Sequence, residues 1–286
     1  MLLALLLACL TLPAGAAELK VATWNLEWLT DRPDGDRALP QDAHPKRPED
    51  IATLAGYAAQ LDADVIAIQE VDGREIAARI FPPDRYSIRM TGDHVVQRVG
   101  LVVRRGLAYD VNPDDTALTL PGPPPAHLRS GADITLHLAG GLLRVLAVPL
   151  KTGCQHDKLT TSHRPACKTL AEQLPPLEAW ITARKAEGAA FIVLGDFNRW
   201  MDDKDQVIAA LREAAPLVRA TEGRSSPCGA ASGSSTTSWP AGRRRNGWLR
   251  RRSACRCFAS PGRTGRTGCP ITAPSRCTSV RRAEAP

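Results

Sequence analysis

No stretch of this 286-residue chain is both long and apolar enough to cross a membrane, since a helical span needs about 20 such residues. The most apolar run, Leu2 to Leu12, is shorter and is followed by small residues, Pro13-Ala-Gly-Ala-Ala17. That order reads as a secretory signal over residues 1–17, with the usual positive start missing. The mature protein is then expected to begin near Ala17 or Glu18 and to be secreted or periplasmic. No internal repeat is present, which excludes a stacked repeat architecture. Lysine and aspartate are absent from residues 229–286, which hold 12 Arg and one acid, Glu284.

That tail carries +11 against +7 for the whole chain, which leaves residues 1–228 at −4. The basic balance is therefore no argument that the body binds nucleic acid, although a basic string can bind phosphate. The tail consists mostly of Arg, Gly, Ala, Pro, Ser, Thr and Cys, with no helical or strand period. Residues 226–286 are accordingly expected to be disordered. The same composition arises when a G+C-rich gene is read out of frame.

What is present is concentrated in Phe191-Ile-Val-Leu-Gly-Asp-Phe-Asn198. A short apolar run rich in β-branched residues predicts a buried strand. It stops at Gly195, and Asp196 and Asn198 follow, two residues apart, at the rim where α/β proteins keep their sites. The plain alternative is a turn capped by Asp196 or Asn198. Three other strands share the pattern: Leu19 to Asn25, Asp64 to Glu70 (ending Gln69-Glu70), and Leu143 to Val148, which leads into Lys151-Thr-Gly-Cys154. Strands ending together would gather Asn25, Glu70, Asp196 and Asn198 into one acidic, amide-rich cleft. Such oxygen donors, with no His or Cys among them, suit Mg²⁺ rather than Zn²⁺. Mn²⁺ or Ca²⁺ could take the same donors. A centre of this kind favours phosphoryl chemistry.

Elsewhere the pattern predicts a helix from Pro48, with Ile51, Leu54, Ala55, Ala58 and Leu61 inward, and strands at Val99–Val103 and Ile134–Leu138. A Pro-rich loop lies at Pro121–Pro125. Arg164 to Glu187 reads as helix in two pieces broken at Pro175-Pro176, and a short helix follows around Asp205–Glu213. About 200 residues of strand–helix alternation make one α/β domain, residues 18–225. Cys154 and Cys167 flank a polar loop and, in an exported protein, pair as a disulfide, with a loop-closure effect of about 3 kcal/mol. A metal site built from these two Cys with His156 and His163 would lack a zinc spacing.

With these residues assembled, the chain resembles the endonuclease/exonuclease/phosphatase superfamily, the Mg²⁺-dependent phosphoesterases that include pancreatic-type deoxyribonuclease. The matching stretches are Ala22-Thr-Trp-Asn25, Ala67-Ile-Gln-Glu70, Gln97 to Val103, Leu150 to Cys154, Arg164 to Cys167 and Ile192 to Asn198. The resemblance implies a four-layer α/β sandwich and a monomer acting on nucleic acid or another phosphodiester. By position it makes Glu70 a metal ligand and Asn25 its neighbour in the metal and phosphate shell. Asp196 would orient or deprotonate the attacking water, and Asn198 would hold a phosphate oxygen.

Two departures stand out. Pro149 occupies the place of a family His, and proline has no proton or hydrogen bond to donate to phosphate. The family's two closing motifs, an Asp-His-Ile strand and a Ser-Asp-His-Cys-Pro-Val strand, are absent, so the sandwich is expected to be incomplete at its C-terminal end. In a shifted frame, Ser234 to Trp239 permits Phe-Ile-Asp-His-Ile-Leu and Cys269 to Ser275 permits Leu-Ser-Asp-His-Cys-Pro-Val. Both fall in one frame and in the family's order, which points to a frameshift between Arg224 and Ser234. The expected function is a Mg²⁺-dependent, nuclease-like phosphodiesterase, impaired as written. The alternatives are a phosphatase or phospholipase of the same superfamily, a non-catalytic remnant with a basic tail, and an unrelated disulfide-linked exported domain.

Overall fold

The computed structural model describes residues 19–41, 43–121 and 128–222, and the backbone of 236–241, 250–254 and 276–281. The signal-like segment 1–17 and most of the Pro-rich loop lie outside the described residues. Two mixed sheets face each other. The first holds β1 (Leu19–Leu29), β2 (Val65–Val71), β3 (Tyr86–Met90) and β4 (Arg98–Arg104). The second holds β5 (Ala108–Val111), β6 (Ala132–Leu138), β7 (Gly141–Pro149) and β8 (Ala190–Asp196). β1 runs parallel to β2, and β7 parallel to β8; β4, β3, β5 and β6 pair antiparallel.

Alternation along the strands builds the layers. Val21, Val65, Ala67 and Leu101 of the first sheet meet Ile134, Val145, Ile192 and Leu194 of the second. The opposite sides of the same strands face helices. Trp24, Ile66 and Ile68 pack against Leu54, Tyr57 and Leu61 of α1 (Pro48–Leu61) and Ile76 of α2 (Arg74–Ala78). Leu146, Val148, Phe191 and Val193 pack against α3 (Pro165–Glu172), α4 (Leu174–Ala186) and α5 (Gln206–Ala214) through Leu170, Leu177, Ile181, Ile208 and Leu211. Each such side chain, fully buried, contributes about 1.5–3 kcal/mol. The result is a four-layer α/β sandwich.

Three local differences from the sequence reading have physical causes. The helical piece before β8 divides at Gln173, and Pro175-Pro176 lie in the first turn of α4, where a missing N–H costs nothing. β5 and α2 are short and carry no readable period, and β3, although Tyr86 to Met90 alternates apolar and polar, is only 5 residues long. In the tail, β9 (Thr236–Ala241), β10 (Arg250–Ala254) and β11 (Arg276–Arg281) are strands, contrary to the expectation of wholly irregular chain. β9 lies antiparallel along β8, and β11 antiparallel along β1 with β10 outside it. Backbone ladders need no side-chain pattern, so an open sheet edge can pair with a segment whose composition predicts nothing.

Candidate active site

Each candidate residue sits where a strand loses its regular geometry. In β1 the pairing with β2 jumps from Asn25↔Gln69 to Leu29↔Val71, so three residues of β1 oppose one of β2. Glu27 and Trp28 in that bulge have φ of 46° and 55°. The pairing of β2 with β4 slips at the same level, between Ile68 and Val71. Glu70 is caught between the two irregularities at φ 61°. A non-glycine residue held there costs about 1–3 kcal/mol, and bulges of this kind re-aim a side chain at the sheet rim. On β8, Gly195 has φ 140°, and a Cβ there would lie 2.1 Å from the carbonyl oxygen of Val148. Only glycine lets β8 come this close to β7 immediately before Asp196.

These distortions bring side chains from two sheets together. The Asn25 amide donates to Glu70 Oε1 at 2.9 Å and to Asp196 Oδ2 at 2.9 Å. The other carboxylate oxygen of Asp196 accepts the backbone N–H of Asn198 at 2.9 Å, so the turn reading of this segment holds alongside the site reading. Asn198, at φ 49°, turns its own amide to the carbonyl of Leu150 at 2.8 Å. Asn25 thus bridges Glu70 and Asp196, and Asn198 joins them through the backbone.

Asp196 is only 6 % exposed. Burial pushes its carboxyl up to about 6, and the Glu70 charge adds to the rise; the Asn25 amide, the Asn198 N–H and the Arg129 charge oppose it. Glu27 is also raised by burial, with Lys46 opposing and Glu70 reinforcing. Its Oε2 is buried with no hydrogen-bond partner and lies 3.6 Å from Lys46 Nζ. The buried carboxylate of Asp196 and the half-buried carboxylate and amide oxygens of Glu70, Asn25 and Asn198, with no imidazole or thiolate among them, fit a hard divalent cation.

Arg129 is a site residue that sequence reasoning missed. It lies between the Pro-rich loop and β6, where no period or motif marks it, and it feels the charges of Glu70, Asp196 and Asp93, while burial lowers its pKa. Glu27 and Lys46 were missed for the same reason: a bulge and a loop have no readable spacing. Pro149 pairs with Asp196 in register, and the next N–H, that of Leu150, donates to the Asp196 carbonyl at 2.8 Å. The proline therefore stands beside the buried carboxylate with nothing to donate.

Cys154 and Cys167 form the expected disulfide. Their sulfurs are bonded to each other, which removes them as metal ligands. Arg199 ties this loop to the site: it pairs with Asp205 at 2.7 Å and donates to the carbonyls of Cys154 at 2.8 Å and Asp157 at 2.9 Å.

Oxygen donors from two facing mixed sheets are gathered at one rim of the sandwich. The chain matches the Endonuclease/Exonuclease/phosphatase family over residues 22–255 and belongs to it. Members of that family are divalent-metal-dependent phosphoesterases and nucleases. Solved structures agree on the fold. The 3' phosphatase NExo from Neisseria, bound to a product DNA hairpin, is 13% identical with a TM-score of 0.59, covering 93% of this chain and 100% of its own. The human Nocturnin catalytic domain with bound sulfate is 14% identical with a TM-score of 0.56, covering 92% of this chain and 93% of its own. Truncated TDP2 from Caenorhabditis elegans is 15% identical with a TM-score of 0.55, covering 93% and 98%. No curated protein matches the chain in sequence. Among the described residues, no helix is long and apolar enough to cross a membrane.

Proposed function

We propose that this chain descends from a Mg²⁺-dependent, nuclease-like phosphodiester hydrolase and is itself impaired. The observation that carries the reading is the Asn25 amide bridging Glu70 and Asp196, which joins the rims of both sheets at one point. Glu70, with Asn25 beside it, would hold the metal, whose chemistry is to neutralise charge on the phosphoryl group. Asp196, held near neutral pKa by burial, is suited to orient a water and take its proton. The second N–H of the Asn198 amide, not used on Leu150, is the donor for a phosphoryl oxygen. Arg129 adds positive charge on the same side. The substrate is nucleic acid or another phosphodiester. A phosphatase is the second reading, favoured by a structural neighbour that is itself a 3' phosphatase.

The impairment follows from Pro149 and from the tail. Thr236 lies opposite Asp196 in the β8–β9 register, and in the shifted frame Thr236 and Thr237 permit Asp and His. A restored acid would enter the sheet beside Asp196, which supports the frameshift. Export is proposed from the signal-like residues 1–17 and agrees with the Cys154–Cys167 disulfide. The test compares three chains on plasmid DNA and on phosphodiester and phosphomonoester reporters, with Mg²⁺ or chelator. The unaltered chain should cleave little or nothing. The frame-corrected chain with Pro149→His should cleave in Mg²⁺ and lose this with Asp196→Ala. An inert corrected chain, or one indifferent to Asp196→Ala, refutes the proposal. Nucleotide sequencing of the locus that forbids Asp-His in the shifted frame refutes the frameshift.

A further inference from the structure

The segment that follows Asn198 carries a feature that hydrolysis itself does not use. Trp200 is 39% exposed. The other exposed large apolar side chains among the described residues are Val111 and Leu142, and neither is aromatic. The indole is nevertheless held in place. The backbone N–H of Trp200 donates to the carbonyl of Gln155 at 3.1 Å. The indole ring meets the ring of His156 with centroids 3.9 Å apart and planes at 82°. The preceding residue, Arg199, is buried and bound to Cys154, Asp157 and Asp205. The loop carrying His156 is closed by the Cys154–Cys167 disulfide.

Both loops leave the second sheet at one rim, where Pro149 and Asp196 pair. Trp200 is two residues beyond Asn198, within about 7 Å along the chain. An aromatic side chain fixed in water beside a phosphate-handling site suits the flat ring that lies next to a phosphate in a nucleic acid. Base–aromatic stacking tolerates any base, because every base has a π-face. An indole already fixed by its neighbours loses little freedom on binding.

We propose that Trp200, backed by His156, is a stacking platform for a nucleobase of a single-stranded substrate whose phosphate lies at Asn25, Glu70, Asp196 and Asn198. The inference rests on the phosphodiester reading of that site and adds the base to it. It is tested by anisotropy binding of the full chain, in Ca²⁺, to a fluorescein-labelled oligothymidylate and to an abasic oligomer of equal length. Trp200→Ala should weaken oligothymidylate binding about ten-fold and leave the abasic oligomer within about two-fold. Trp200→Phe should restore most of the loss, and near-UV circular dichroism should show both variants folded. Asn198→Ala should weaken both ligands. If Trp200→Ala weakens both oligomers equally, or neither, while Asn198→Ala weakens both, the platform is wrong and the phosphodiester reading stands. If the unmodified chain binds neither oligomer, both fall together.

Discussion

Arg199, next to the site, should be costly to remove. It is 2% exposed and pairs with an Asp205 carboxylate whose side chain is 8% exposed. Arg199→Met keeps much of the stem but deletes the charge. It strands Asp205 with only its cap on the Val207 N–H, and it leaves the carbonyls of Cys154 and Asp157 without their donor. Removing one partner of a buried pair costs about 3–5 kcal/mol. The retained cap argues for the lower end, about 3 kcal/mol, against a total stability of about 5–15 kcal/mol. The sign with pH also follows. Burial raises the Asp205 pKa and Arg199 opposes the rise, so without Arg199 the folded-state pKa climbs further. A raised acid is destabilising once ionised, so the loss should be larger near about pH 8 than near about pH 5. Urea unfolding followed by circular dichroism at both values measures it. Arg199→Met with Asp205→Asn should recover much of the loss, since the stranded charge is gone. A loss under about 1 kcal/mol at the higher pH, or a double variant no better than the single, refutes the reasoning.

Other outcomes follow from the same structure. Burial pushes Asp115 up to about 6, with Asp133 adding to the rise and the Ala117 N–H opposing it. Its contribution is therefore most favourable below the unfolded carboxylate pKa and is lost as pH rises to about 6. Asp115→Asn should stabilise the protein by about 1–2 kcal/mol at about pH 8, allowing for partial exposure, and by nothing near about pH 4; denaturation midpoints across pH check this. Gly195→Ala should cost at least about 3 kcal/mol or prevent folding, because its Cβ would meet the Val148 backbone at 2.1 Å and its φ is 140°; a thermal scan would show a normal midpoint if the close approach were not real. Cys154→Ser with Cys167→Ser, which opens a loop with a sequence separation of 13, should cost about 3 kcal/mol in urea unfolding.

Much of the fold was legible because its strands and helices bury one side each. The runs ending at Asn25, Glu70 and Asp196 alternate or are apolar throughout, and α1 and α5 keep helical spacing. β5 is short and mostly exposed and gave no signal, while β3 alternates Tyr86, Ile88 and Met90 with Ser87 and Arg89 but is only 5 residues long. β9, β10 and β11 form through backbone pairing at sheet edges, which composition does not encode. Within the site, Asn25, Glu70, Asp196 and Asn198 were visible as polar residues closing apolar strands. Arg129, Glu27 and Lys46 were not, since they reach the same place from a loop, a bulge and a helix approach.

Residue order alone therefore determined the strand–helix alternation, the polar ends of β1, β2 and β8, the disulfide pair, the Pro149 departure and the change of composition in the tail. All of these are local properties, set by side-chain type and spacing. Only the tertiary structure decided that one Asn25 amide serves carboxylates from two sheets, since Glu70 and Asp196 are far apart in the chain. It also decided that Asp196 is buried enough for its pKa to reach about 6, and that Arg199 locks the disulfide loop to the turn after Asn198. Desolvation and charge proximity are sums over neighbours from different elements, and those neighbours exist only once the two sheets have packed.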